Sequence, residues 1–250
     1  MSGHSKWSSI KHQKGVADAR RGQLFTKLTR EIIVAVREGG SNPDMNFRLR
    51  LVIQKARDNN MPLDNIERAI KRGSGEIEGV TFTEMVLEGY GPSGAAILVQ
   101  ALSDNKNRTL QEVRNIFSRN NGNLGENGCV AWLFESKGLI LIEANDLDTE
   151  ELALKAIDAG AEDVKIENNH IEIYTMLTDF EAVRAALDED SVPIVSSEIY
   201  MMPKTTIELD EKQSLQTLKL IDKLESLDEV QSVSSNVNFS EAVLDLFDEL

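Results

Sequence analysis

The amino-acid sequence predicts an α+β protein of three domains, an N-terminal helical domain and two ferredoxin-like α/β sandwich domains, one inserted in the other. Three observations lead there. Apolar residues recur at helical spacing from Leu24 to Ile70 and turn to strand spacing at Phe82 to Tyr90. Residues 139–201 read strand, helix, strand, strand, helix, strand, which is the ferredoxin-like order. The charge changes sign at Gly73-Ser74-Gly75: residues 1–75 carry 15 Lys+Arg and 7 Asp+Glu, net +8, whereas residues 76–250 carry 12 and 35, net −23.

In the basic part, Leu24, Phe25, Leu28, Ile32, Ala35 and Val36 mark one buried face of a helix, with Lys27, Arg30 and Arg37 turned away from it. Gly39-Gly40-Ser41-Asn42-Pro43 ends that helix, and the next is expected over 44–58. Asn59-Asn60-Met61-Pro62 punctuates the chain, and Pro62 opens a short helix with Leu63, Ile66 and Ile70 inward. Arg68, Lys71 and Arg72 share another side of it. Residues 72–79, rich in Gly and Ser, read as a flexible linker.

Strands follow at 82–90 and 95–101, joined by a turn at Gly91-Pro92-Ser93-Gly94, then a helix over 109–120 and a strand over 130–134. The ferredoxin-like stretch has strands at 139–143, 164–167, 171–175 and 194–201 and helices at 150–159 and 180–187. The chain continues through 205–209 to a helix carrying Leu215, Leu218, Ile221 and Leu224 and a final strand at 230–234. These last elements lack partners of their own, so they are expected to return to the first β-β-α-β unit and pair its edges. The expected domains are 1–79, basic and helical with its linker; 80–135 plus 203–240, discontinuous α/β; and 136–202, inserted.

Of the 250 residues 41% are hydrophobic and 28% charged, which suits a chain with a packed core and excludes a disordered acidic polymer despite the net charge of −15. Cys129 is the single cysteine, so intrachain disulfides and zinc sites built on paired cysteines are excluded. The N-terminus is polar and basic, and no run of about 18 apolar residues occurs, so the expected protein is cytosolic and has no membrane partner.

The segment with His4, Ser5, Lys6 and Trp7, followed by Lys11, His12 and Lys14, joins cations and a hydroxyl suited to phosphate with a ring suited to an unpaired base. An equally physical alternative packs Trp7 against the first helix as an anchor. Arg20, Arg21, Lys27 and Arg30 extend the basic surface, and Lys106 and Arg108, joined by Arg114 and Arg119, make a basic spot in the acidic part. Asn107 or Thr109 is placed to cap the helix there. Gly89 to Gly94 lacks the Lys-Ser/Thr of a phosphate loop and reads as a hairpin turn. His4, His12 and His170 have no metal spacing and Cys129 no evident base, so neither an enzyme, a metal nor a cofactor is expected.

These observations point to a basic module aimed at a polyanion such as nucleic acid, with an acidic remainder that is repelled from the same surface and can meet protein partners. A protein-interaction scaffold without nucleic acid is an alternative.

The sequence also resembles the YebC/PmpR family, which includes the mitochondrial translational activator of cytochrome oxidase. The resemblance rests on Gly3-His4-Ser5-Lys6-Trp7, Arg21-Gly22 with Phe25-Thr26-Lys27, Asn59-Asn60-Met61-Pro62, Arg68-Ala69-Ile70 with Arg72-Gly73, Glu88-Gly89-Tyr90-Gly91-Pro92, and Ser103-Asp104-Asn105 with Asn107-Arg108-Thr109. Asn123-Leu124-Gly125, residues 159–163 and Met202-Pro203 add to it. It implies a helical domain and two α/β domains around a central cleft. The resemblance also implies a non-enzymatic, nucleic-acid-binding regulator of gene expression, a DNA-binding transcriptional regulator with promoter DNA as its partner or, as the alternative, a translation factor acting on ribosomal RNA or the ribosome. Lys106 departs from the arginine expected in that motif; it keeps the charge and loses the bidentate fork.

Overall fold

A computed structural model of the chain describes residues 18–144, 147–167, 170–190 and 192–248, with the side chains of 18–20, 167 and 248 left aside. The elements in chain order are α1 (Asp18–Gly39), α2 (Phe47–Asp58), α3 (Leu63–Ser74), β1 (Thr83–Tyr90), β2 (Ala96–Ser103), α4 (Lys106–Arg119), β3 (Asn123–Leu124), β4 (Phe134–Glu143), α5 (Thr149–Asp158), β5 (Ala161–Glu167), β6 (His170–Thr175), α6 (Phe180–Glu189), β7 (Ile194–Pro203), α7 (Glu211–Glu225), β8 (Val230–Ser235) and α8 (Glu241–Asp248). They form two compact units, one of Phe134–Met202 and one built from the segments on either side of it.

The helical part of the second of these units closes on the predicted face. Leu28, Ile32, Ala35 and Val36 of α1 bury with Leu49, Val52, Ile53 and Ala56 of α2 and with Ile66 and Ala69 of α3. Asn46 ties the first two helices together. Its side-chain oxygen caps α2 at the Leu49 N–H, 3.0 Å, while its amide donates to the carbonyls of Ala35 and Gly40 at 2.7 and 2.8 Å. Arg72 and Gly73, expected in the linker, belong to α3, which ends on Gly75 at φ 84°. Glycine at 73 has a packing reason: a Cβ there would lie 2.7 Å from Val36 Cβ.

The same unit contains a four-stranded antiparallel sheet in the order β3-β1-β2-β8, so the returning strand β8 pairs with β2. Leu87, Val99 and Val233 stand in register across β1, β2 and β8 and bury against Val113 and Phe117 of α4, Leu218, Ile221 and Leu224 of α7, and Val243 and Leu244 of α8. The turn between β1 and β2 is a single 3-10 turn, Pro92–Gly94, with Ser93 at φ 55° and Gly94 at φ 83°. The Phe134–Met202 unit carries the order β5-β6-β4-β7 with α5 and α6 as crossovers, which is ferredoxin-like. Ile140 and Ile142 face Ile173 and Ile171 across β4 and β6, all fully buried.

The structure departs from or adds to the sequence reading at three places. The strand expected at 130–134 is a 3-10 turn, Ala131–Leu133, and β4 begins only at Phe134; the strand that pairs with β1 is the two-residue β3. The cause is Glu88, whose carboxylate takes the N–H groups of Gly128, Val130 and Ala131 and curls the segment away from a ladder. Residues 205–209 form no strand beyond a single parallel bridge between Ile207 and Val237. Helix α8 was not foreseen, and its Val243 and Leu244 complete the core under the first sheet.

Candidate nucleic-acid interface

His4, Ser5, Lys6, Trp7, Lys11, His12 and Lys14 lie outside the described residues. Arg20 is in the first turn of α1, and Arg21 beside it is exposed.

Lys27 and Arg30 are engaged within the protein. A helix ends with carbonyls that have no partner of their own and with the negative pole of its dipole. At the end of α7, Lys27 Nζ donates to the Glu225 carbonyl at 2.6 Å and Gln23 Nε2 donates to the Ser226 carbonyl, so α1 supplies one cation and one amide to those acceptors. Arg30, one turn further along α1, reaches Glu229 Oε1 with Nη2 at 3.6 Å and lays its guanidinium 5.5 Å from the centre of the Phe82 ring. The helical part is thereby docked to the sheet-bearing part of the same unit. Arg48 adds a second attachment, with Nη1 2.6 Å from Glu38 Oε2 on α1 and Nη2 against Glu84 on β1. Burial works to lower the Arg48 pKa, but the hydrogen bonds and charges of Glu84 and Glu38 outweigh it and raise it above its ordinary value.

Arg108 converges on the same carboxylate as Arg30. Its Nη2 is 3.2 Å from Glu229 Oε1 and 2.6 Å from Asp104 Oδ1. Lys106 is exposed in the first turn of α4. The cap of that helix is Asn105, whose Oδ1 accepts from the Arg108 N–H at 3.1 Å; Asn107 lies inside the helix, and the Thr109 hydroxyl is instead buried against Ser103 Oγ at 2.7 Å. The structure thus brings Arg30 and Arg108 to one point, with Lys27 a turn away. Glu229 is the residue that sequence reasoning missed; it stands 199 positions from Arg30 by number, and periodicity carries no signal of such a meeting.

Open cations remain on the helical part. Arg37, Arg57, Arg68 and Lys71 are exposed, while Arg72 is half-buried with its side chain along Gly79. Arg68 and Lys71 were legible as one helix side. Exposed guanidinium and ammonium groups of this kind neutralise phosphates, releasing counterions.

No group of three His, Cys, Asp or Glu side chains suited to a metal is present among the described residues, and no helix among them is long and apolar enough to cross a membrane. Burial pushes the Cys129 thiol up, the Glu88 and Glu126 carboxylates add to that, and a thiol so placed is a poor nucleophile at neutral pH.

Comparison with known proteins agrees with this architecture. Residues 5–76 match the model of the TACO1/YebC protein N-terminal domain, and residues 82–237 that of the TACO1/YebC second and third domain. A "probable transcriptional regulatory protein" of Dehalococcoides mccartyi is 60% identical over 247 residues, covering 99% of this chain and 98% of that one. Another so named, from Natranaerobius thermophilus, is 52% identical over 248 residues, covering 98% and 99%. The crystal structure of a conserved hypothetical protein from Aquifex aeolicus superposes with a TM-score of 0.85 at 48% identity, covering 93% of this chain and 96% of its own.

Proposed function

Since the chain belongs to the TACO1/YebC family, we propose that it is a nucleic-acid-binding regulator of gene expression, a DNA-binding transcriptional regulator of the kind its relatives are named for. The observation that carries this reading is the division of charge, net +8 over residues 1–75 against −23 over the rest. A polyanion is drawn first to the basic part, which orients the protein on it before any contact forms, and local cations in the acidic part can then add to the hold.

Within the basic part the roles separate. Lys27 and Arg30 hold the helical part in place through the Glu225 carbonyl and the Glu229 carboxylate, which Arg108 of α4 shares. Phosphate contacts then fall to Lys6, Lys11, Lys14, Arg20 and Arg21, joined by the exposed Arg37, Arg57, Arg68 and Lys71. His4, Ser5, Trp7 and His12 supply hydrogen bonds and stacking, and Lys106 is the remaining contact on the α/β side. The second reading, a translation factor on ribosomal RNA, uses the same cations, and the open aromatic rings described below favour it.

The test is a variant with Lys11, Lys14, Arg20 and Arg21 all changed to Glu. Fluorescence anisotropy with labelled duplex DNA and with a ribosomal RNA fragment is expected to show binding about tenfold weaker or worse, with an unchanged circular dichroism spectrum. Undiminished affinity for both would refute the reading.

A further inference from the structure

Trp132 lies 66% exposed on the 3-10 turn Ala131–Leu133, an unusual place for the largest apolar side chain. Its surroundings are built. The indole N–H donates to the Cys129 carbonyl at 3.2 Å, and the Tyr90 hydroxyl donates to the same carbonyl at 3.0 Å. Both polar handles are therefore occupied, and what the two residues offer outward is ring surface; Tyr90 is 40% exposed. The loop beneath them is held by the buried Glu88 carboxylate, which accepts from Gly128, Val130 and Ala131 at 2.6, 2.8 and 2.7 Å. Gly125 sits so close that a Cβ there would lie 2.5 Å from Cys129 Sγ, and Gly128 is at φ 88°. Rings fixed in this way lose little freedom on binding.

The charge beside the rings narrows the ligand. Lys204 Nζ donates to the Trp132 carbonyl at 3.1 Å and is exposed, which leaves further N–H donors on the ammonium. A cation held at the Trp132 backbone favours a flat ligand that also carries an anion.

We infer that Trp132, Tyr90 and Lys204 form a platform for an unpaired nucleotide, the base stacking on the rings and its phosphate meeting the lysine. The inference rests on the nucleic-acid reading above and deepens it. A base inside a duplex has both faces covered by its neighbours, so the platform selects single-stranded or looped RNA or DNA over an intact helix.

The chain has two tryptophans, Trp7 and Trp132, so Trp7→Phe in the full chain leaves Trp132 as the reporter. Short oligouridylate is expected to quench its fluorescence saturably, and the same strand in a duplex is not. By anisotropy with labelled probes, Trp132→Ala is expected to bind oligouridylate about tenfold more weakly with duplex affinity unchanged, and Trp132→Phe to recover most of the loss. Oligouridylate binding without quenching, or undiminished binding by Trp132→Ala, overturns the platform while leaving the charge-based reading intact. Quenching by an arginine-rich peptide and not by oligouridylate overturns it in favour of a protein partner. Anisotropy that shows no binding of either nucleic acid removes the charge-based reading and the platform together.

Discussion

Burying a carboxylate is costly unless donors surround it, and Glu88, 5% exposed, has three backbone N–H groups directed at it from a loop 40 residues away by number. Burial alone would raise its pKa; the bonds from Gly128, Val130 and Ala131 outweigh that and hold it below its ordinary 4.5. A carboxyl depressed on folding adds stability above its unfolded pKa and loses it as the pH falls through the folded one. Glu88→Gln, which places an amide donor among donors, is therefore expected to cost about 1–3 kcal/mol in urea unfolding at neutral pH. The deficit relative to the parent is expected to shrink as the pH drops below about 4. A deficit that is constant with pH would show that the charge of Glu88 is not what holds the loop. None of this was legible beforehand: Glu88 stood out only within a motif, and neither its burial nor its meeting with residues 128–131 follows from spacing. Asn105 as the cap of α4 was missed because four residues of 104–109 have capping side chains, Asp104, Asn105, Asn107 and Thr109, and spacing does not choose among them.

The long periodic elements were readable because their burial is one-sided. Helix α1 buries the Leu28, Ile32 and Val36 face named from the sequence, and β4 and β6 of the Phe134–Met202 unit cover the apolar runs read there as strands. Short elements were not readable. β3 has two residues, and the 131–133 turn has a strand-like composition overridden by the Glu88 contacts. Glycine inside a helix shows the same division. Gly22 of α1 has nothing within 4 Å of a built Cβ, whereas Gly73 of α3 faces Val36 Cβ at 2.7 Å and the Ile33 carbonyl at 2.9 Å. Gly22→Ala is expected to stabilise by about 0.5–1 kcal/mol through helix propensity. Gly73→Ala is expected to destabilise by about 1–3 kcal/mol through overpacking. Thermal and urea unfolding of the two variants check this, and equal effects would contradict the close α1–α3 approach.

For the whole molecule, sequence and structure speak to different things. The division of charge is a property of the chain and was visible at once, as was the need for the C-terminal elements to return to the first sheet, which β8 does by pairing with β2. The use to which the cations are put was not visible, because it depends on which carbonyl or carboxylate the fold brings near. Lys27 at the end of α7 and Arg30 at Glu229 attach the helical part to the sheet-bearing part, and Arg108 shares the Glu229 carboxylate. The central claim is that the remaining cations bind nucleic acid through phosphates. The most direct measurement is the affinity of the full chain for duplex DNA and for ribosomal RNA across a salt series. The account predicts a linear fall of log K with log salt for the duplex, with a slope of about −0.9 per neutralised phosphate and several phosphates engaged. Absence of binding at low salt, or affinity indifferent to salt, would contradict it.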